Sequence, residues 1–302
     1  MSDIAIQLQE ANVGKVWVNE PLANHTTWKI GGPADLLVQP NDKEGLITCM
    51  RIVQEHQMPY RVIGKGSNLL VRDGGIRGVV IKMGEGLDHL RIEGDRVTVD
   101  AGYSFIKLAT IVARHGLTGL EFAGGIPGTV GGAVYMNAGA HGSDVSRILH
   151  SAEVIFDDGQ LETLSNEALH FSYRTSLLQE ERKGVCLQAT FQLKEGHTQT
   201  IKDELSKHKE YRRETQPLQQ PCCGSVFRNP KPYSAGQLIE EAGLKGVQVG
   251  GAQVSLMHAN FIVNLGNATA KDVLTLIDHI QTIIKKKYGV DMHPEVQVVG
   301  EG

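Results

Sequence analysis

Glycine constrains this chain more than any other feature: 35 of 302 residues lack a side chain, roughly 12% against a usual ~7%. An even spread would read as linker. Here the excess falls in short clusters, which mark positions where the backbone turns sharply or presses against a ligand. The first cluster, Gly64-Lys65-Gly66-Ser67-Asn68, directly follows a strand-like run at residues 60–63. Glycines let backbone N–H groups approach a phosphate closely, and Ser67 and Asn68 add side-chain donors. The spacing is neither the dinucleotide G-x-G-x-x-G nor a Walker loop, so taken alone it reads first as a tight turn. The second cluster runs Phe122-Ala123-Gly124-Gly125-Ile126-Pro127-Gly128-Thr129-Val130-Gly131-Gly132-Ala133. Pro127 suits the first turn of a helix, and the glycines around it would leave that start uncovered. Unpaired N–H groups and a positive dipole end would then form an anion site. Helix packing is the competing reading of the same glycines. Two loops suited to phosphate in one chain fit a diphosphate better than either alone.

Periodicity places these loops among short strands and amphipathic helices. Strand-like runs occupy residues 35–39, 60–64, 78–82, 96–101, 152–156 and 185–193. Helical patterns cover 43–57, with Leu46, Ile47, Met50 and Val53 on one face, and 104–115, closed by Gly116. Asp157-Asp158-Gly159 reads as a hairpin turn. A polar helix at 198–214 leads into the proline-bearing stretch 216–221, the best candidate for a domain boundary. Beyond it come a short helix (235–242), a strand (261–265) and a long helix (270–288). In the long helix Thr269 can cap the N-terminus and Asp272 sits in the first turn. Lys285 to Lys287 complement the negative end, and Gly289 stops it. The pattern is mixed α+β.

A chain of 302 residues suits two or three domains, and 41% hydrophobic with 21% charged residues lets each bury a core. A net charge of −4 with no Lys/Arg block gives no sign of a nucleic-acid or acidic-membrane partner. Residues 1–10 carry Asp3 and Glu10 and no secretory pattern, and no run nears the ~18 apolar residues of a membrane span. A cytoplasmic protein is expected. Cys49, Cys186, Cys222 and Cys223 show no C-x-x-C spacing and read as reduced thiols. With no H-E-x-x-H among the histidines, no metal site is expected.

Residues 64–72 (GKGSNLLVR), 74–83 (GGIRGVVIKM) and 125–140 (GIPGTVGGAVYMNAGA) resemble the FAD-binding half of the UDP-N-acetylenolpyruvoylglucosamine reductase family. The resemblance continues through 171–176 (FSYRTS), 224–230 (GSVFRNP) and 293–296 (HPEV), in the family's order and over nearly the whole chain. It implies a two-subdomain FAD-binding module of the vanillyl-alcohol oxidase and p-cresol methylhydroxylase type, plus a C-terminal α+β substrate domain. The boundaries expected are 1–95, 96–214 and 215–302. The short connection from Arg174 to Ser225 resembles the subgroup without an inserted substrate-covering loop. His141 departs from the tyrosine common in the family, and lysine is common at the position of Arg228.

The resemblance further implies non-covalent FAD, NADPH as hydride donor, and UDP-N-acetylglucosamine enolpyruvate as substrate in peptidoglycan synthesis, by a monomer. FAD contacts are expected from Gly64, Lys65, Gly66, Ser67, Asn68 and Leu69. Others are expected from Gly124, Gly125, Ile126, Pro127, Gly128, Thr129 and Ala133. Tyr173, Arg228 and Asn229 are expected to touch substrate. Hydride addition to a vinyl ether bearing a carboxylate builds charge on that carboxylate, and an arginine fork holds two oxygens without losing its own charge. Arg174 matches the family's arginine in this role. The enolate-like intermediate then needs a proton on its α-carbon, and Ser225 matches the family's donor. Glu295 matches the glutamate that helps stabilise the intermediate. An oxidase of the same fold would give Ser225 no task, and a non-catalytic flavin module would not need Arg174, Ser225 and Glu295 together.

Overall fold

A computed structural model describes residues 2–302. The chain divides into two compact units. One holds the chain up to Val18, Leu36–Lys65 and Gly78–Tyr211; the other holds Asn19–Asp35, Gly66–Arg77 and Arg212–Gly302. Residues 19–35 and 66–77, which the sequence reading assigned to the first FAD-binding subdomain, thus group with the C-terminal residues.

The first unit carries two larger sheets. In one, the strands run in the order Gly14–Pro21, Pro33–Pro40, Ile76–Lys82, Tyr60–Ile63, the last two parallel. In the other, five antiparallel strands run Leu161–Ser165, Leu149–Phe156, Gly184–Gln192, Arg96–Asp100, Leu90–Glu93. The turn at Asp157–Gly159 has Gly159 at φ +79°, the left-handed value that glycine adopts without strain. Helices α1 (Ser2–Glu10), α2 (Lys43–Glu55) and α3 (Phe105–Arg114) precede the short α4 (Val130–Tyr135), the single-turn α5 (Leu177–Glu180) and α6 (Thr198–Thr215). Apolar spacing decides which faces are buried. Leu46, Cys49, Met50 and Val53 of α2, and Phe105, Leu108, Ala109 and Val112 of α3, enter one contiguous core with Val97, Val99, Phe156 and Phe191. Burial pushes the Cys49 and Cys186 thiols up to about 12, so neither is a ready nucleophile.

The second unit packs α7 (Ala235–Glu241) and α8 (Ala270–Tyr288) with a three-stranded antiparallel sheet ordered Gln248–Val249, Ala252–Val254, Ile262–Asn264. Its core gathers residues from distant parts of the sequence. Trp28 is fully buried and donates its indole N–H to the Ile262 carbonyl at 2.8 Å, while Asn264 Nδ2 donates to the Trp28 carbonyl at 3.0 Å. A buried indole keeps its place when that one polar group is satisfied. Helix α8 begins with a capping box between Thr269 and Asp272 and ends at Gly289, φ +71°. Asp73 adds a second anion at its positive end, accepting from the N–H groups of Ala270 (2.8 Å) and Lys271 (3.1 Å). Among the described residues, no helix is long and apolar enough to cross a membrane.

Candidate active site

Within the first unit, Gly64 and Lys65 of the first glycine cluster meet the second cluster. A Cβ on Gly64 would lie 2.5 Å from Thr129 Oγ1, so only glycine allows this approach. Lys65 Nζ donates to Ser104 Oγ at 3.1 Å, and the backbone of Ser104 bridges that of Thr129. Burial, then the charge of Lys107, pulls the Lys65 ammonium below its ordinary range. Gly128 sits at φ +144°. Gly64 and Gly128 are half-buried and Lys65 is exposed, so these packed loops keep part of their backbone open to solvent. In the second unit, Gly66 takes φ +63° with its backbone against His25 and Thr26. Asn68 Nδ2 donates to the Glu295 carbonyl at 3.1 Å, and the Asn68 carbonyl accepts from Gln297 N at 3.0 Å. Leu69 opens a strand parallel to Gln297–Val299, and Ser67 is half-buried.

The expectation of an uncovered helix start at Pro127 needs correction. Helix α4 begins three residues later, at Val130, with Thr129 as its N-cap. Its first donors are already taken: Val130 N bonds the Tyr103 carbonyl (2.9 Å), Gly131 N the Ala101 carbonyl (2.8 Å) and Gly132 N the Thr129 hydroxyl (3.3 Å). A start satisfied in this way has no orphan N–H groups to offer an anion. Close packing also explains two of the glycines, since a Cβ would meet Leu205 Cδ1 at 2.2 Å from Gly124 and Ala101 Cβ at 2.8 Å from Gly131. Gly125, Ile126 and Pro127 lie ahead of the helix, and Ala133 is buried within it.

Arg174 stands at the tip of a two-residue turn, Tyr173-Arg174, closed by paired bonds between the backbones of Ser172 and Thr175. Its φ of +61° is uncommon for a residue with a side chain, and such strain persists only when the surroundings hold it. They do. Asn137, 3% exposed, donates to the Ser172 carbonyl and accepts from Ser146 N, both at 3.0 Å. Gln179 Nε2 reaches the carbonyls of Tyr135 (2.6 Å) and Arg174 (3.3 Å), and Ser176 Oγ also bonds the Tyr135 carbonyl (2.8 Å). The guanidinium donates to the Gly139 carbonyl at 2.7 Å and lies 4.9 Å from the centre of the Tyr173 ring. Tyr173 is 47% exposed. The sequence reading did not single out Asn137 or Gln179. Asn137 lies inside the matched GIPGTVGGAVYMNAGA stretch, the only signal that could have flagged it.

Ser225, Arg228, Asn229 and Glu295 belong to the second unit, which brings their backbones together. Val226 N bonds the Asn260 carbonyl (2.9 Å), and the Asn260 side chain holds both polar groups of Phe227 (3.0 and 2.8 Å). Across from this segment, Glu295 N donates to the Val226 carbonyl at 2.7 Å and Arg228 N to the His293 carbonyl at 2.9 Å. Ser225 and Glu295 are therefore neighbours along one short two-strand contact, and both are half-buried. Gly224, at φ +83°, makes the turn that presents Ser225. Arg228 keeps its Nε buried without a hydrogen-bond partner, a cationic donor awaiting an acceptor. Asn229 is exposed, and its Oδ1 accepts from Ala235 N at 2.9 Å. Burial raises the Cys222 and Cys223 thiols beside this turn.

Residues 34–165 match the model of an FAD binding domain, and residues 216–299 match the C-terminal domain of UDP-N-acetylenolpyruvoylglucosamine reductase. Reductases of that name are similar over the full length: one from Anoxybacillus flavithermus is 60% identical, covering 99% of each chain. One from Bacillus subtilis is 57% identical, again covering 99% of each. The crystal structure of the reductase from Thermus caldophilus superposes with a TM-score of 0.81 at 37% identity, over 95% of this chain and 98% of that one.

Proposed function

Because the chain belongs to the UDP-N-acetylenolpyruvoylglucosamine reductase family and is an FAD-dependent oxidoreductase, we propose that it reduces UDP-N-acetylglucosamine enolpyruvate to UDP-N-acetylmuramate with NADPH. The observation that carries this reading is the full-length similarity, at 57–60% identity, to reductases of that name. The step would serve peptidoglycan synthesis in the cytoplasm, by a monomer, and through it cell shape and division. We further propose the three-part division 1–95, 96–214 and 215–302; two larger sheets in the first unit favour two subdomains there, with the strand Leu90–Glu93 pairing into the second sheet.

Bound FAD would supply the hydride chemistry, accepting from the nicotinamide and giving to the vinyl β-carbon. The chain would hold it non-covalently along the two glycine loops, at Gly64 to Leu69 and Gly124 to Thr129, with Ala133 behind the second. Arg174 would hold the substrate carboxylate by two points, so that charge arriving from the β-carbon is stabilised as it forms. A turn that fixes the arginine beforehand suits this task, because the fork need not reorganise during reaction. Ser225 would donate the proton to the α-carbon; an enolate-like carbanion is basic enough to take it in a shielded site. Glu295, whose backbone bonds the residue after Ser225, would help stabilise the same intermediate. The orphaned Nε of Arg228 would meet a phosphate or carboxylate oxygen of the substrate, with Tyr173 and the amide of Asn229 as further contacts.

The test is stopped-flow absorbance of the flavin in two halves. NADPH alone bleaches it, and the enolpyruvyl sugar nucleotide then restores the colour without oxygen. Parallel double-reciprocal plots would follow. Restoration by oxygen but not by the sugar nucleotide would point to an oxidase instead.

A further inference from the structure

The Gly139 carbonyl that holds Arg174 belongs to a very small hairpin. Gly139–Ala140 pairs with Ser143–Asp144 through two residue pairs only, joined by His141 and Gly142. Both linking residues have positive φ, +52° and +79°. Such a turn favours asparagine, aspartate or glycine at its first position, and histidine adopts it less often than these. A hairpin this short also has little stability of its own. Something outside it must hold it.

The histidine ring provides that hold. The His141 ring lies parallel to that of His208 on α6, with centroids 3.9 Å apart and 2° between the planes. Tyr211, one turn further along α6, meets His141 edge-on at 5.8 Å and 76°. His208 is itself tied down, its Nδ1 lying 3.2 Å from the Glu121 carbonyl. A continuous set of contacts therefore runs from α6 through two stacked rings to the hairpin tip, and from Gly139 to the guanidinium of Arg174 at 2.7 Å. We propose that His141 and His208 are positioning residues, fixing the hairpin so that its Gly139 carbonyl aims Arg174. The inference rests on the reading that Arg174 acts on the substrate carboxylate.

Two measurements on the FAD-loaded enzyme test it: hydrogen exchange of the amides at residues 138–144, and the two flavin half-reactions. In His208→Ala these amides exchange faster. Restoration of flavin colour by the enolpyruvyl sugar nucleotide slows about 3- to 10-fold, the loss an aromatic pair of ordinary strength corresponds to. Bleaching by NADPH stays within about twofold, since hydride arrival needs no carboxylate hold. His208→Phe and His141→Tyr keep flat rings and restore both exchange and rate, which a change in general stability would not do. Arg174→Ala is the control. Near-normal restoration of colour in that variant removes the premise about Arg174. If Arg174→Ala is slow while His208→Ala matches wild type in either exchange or restoration of colour, the positioning role is overturned.

Discussion

Replacing Asn137 tests how firmly the Arg174 turn is held. This side chain is 3% exposed, and its two hydrogen bonds join Ser146 to Ser172, the residue at the base of the turn. Asn137→Ala leaves the Ser146 N–H without its partner and takes from the Ser172 carbonyl one of its two donors, Thr175 N remaining. Each lost bond costs about 1 kcal/mol, the usual net contribution of an intramolecular hydrogen bond. The backbone adds a second penalty. Asn137 sits at φ +41°, a left-handed value that asparagine tolerates and alanine pays about 1 kcal/mol to adopt. The sum is a loss of about 3 kcal/mol. Asn137→Gly removes the backbone penalty but not the polar one, so it should lose about 2 kcal/mol and lie between alanine and wild type. Asn137→Asp keeps the acceptor for Ser146 but sets an oxygen against the Ser172 carbonyl, and should fall below glycine. Urea unfolding of the holoprotein by circular dichroism ranks the series. Stopped flow should show restoration of flavin colour slowed more than bleaching. A loss below about 1 kcal/mol for Asn137→Ala, or glycine no better than alanine, would refute this account of the turn.

Arg174→Lys should be severely impaired although charge is retained, because one ammonium cannot reproduce a two-point hold; near-wild-type turnover would make Arg174 structural. Ser225→Ala should bleach normally with NADPH yet recover colour with the enolpyruvyl substrate ~10²–10⁴-fold more slowly, and Ser225→Cys should regain part of that rate. Equal slowing of both halves would instead assign the serine to positioning. The Asp272 carboxyl is held below its ordinary value by bonds from the Thr269 and Gly251 N–H groups and the Thr269 hydroxyl. Its contribution to stability is therefore present above about pH 4 and lost as pH falls through the depressed value. Asp272→Asn should lower the melting temperature at pH 7, with the difference closing as pH falls through the depressed value; a difference that persists in acid would show the cap acts without charge.

Periodicity made several elements legible to within a residue or two. The helix expected at 270–288 is α8, the one at 198–214 extends to Thr215, and that at 43–57 ends two residues earlier, at Glu55. These elements bury one apolar face, and their end signals are local. Strand Gly14–Pro21 went unseen because none of its residues is buried, so it carries no apolar alternation. The start of α4 was misplaced because Pro127 and its glycines mimic a helix signal, while the real start, just after the cap Thr129, is fixed by bonds from Val130 N and Gly131 N to the Tyr103 and Ala101 carbonyls. Unit membership was hidden for the same reason: Trp28 pairs with Ile262 and Asn264, more than 230 residues away. Arg174, Ser225 and Glu295 could be named because their motifs are specific. The groups that hold Arg174 could not, since the Gly139 and Tyr135 carbonyls are backbone and leave no mark on residue type.

Anaerobic turnover bears most directly on the central claim. The FAD-loaded protein is mixed with NADPH and UDP-N-acetylglucosamine enolpyruvate in deuterated water, and nicotinamide oxidation is followed alongside product mass. One NADPH should be consumed per lactyl ether formed, with one deuterium placed on the α-carbon by the proton-donating step. Unchanged sugar nucleotide, or NADPH loss that proceeds only when oxygen is admitted, would contradict the account.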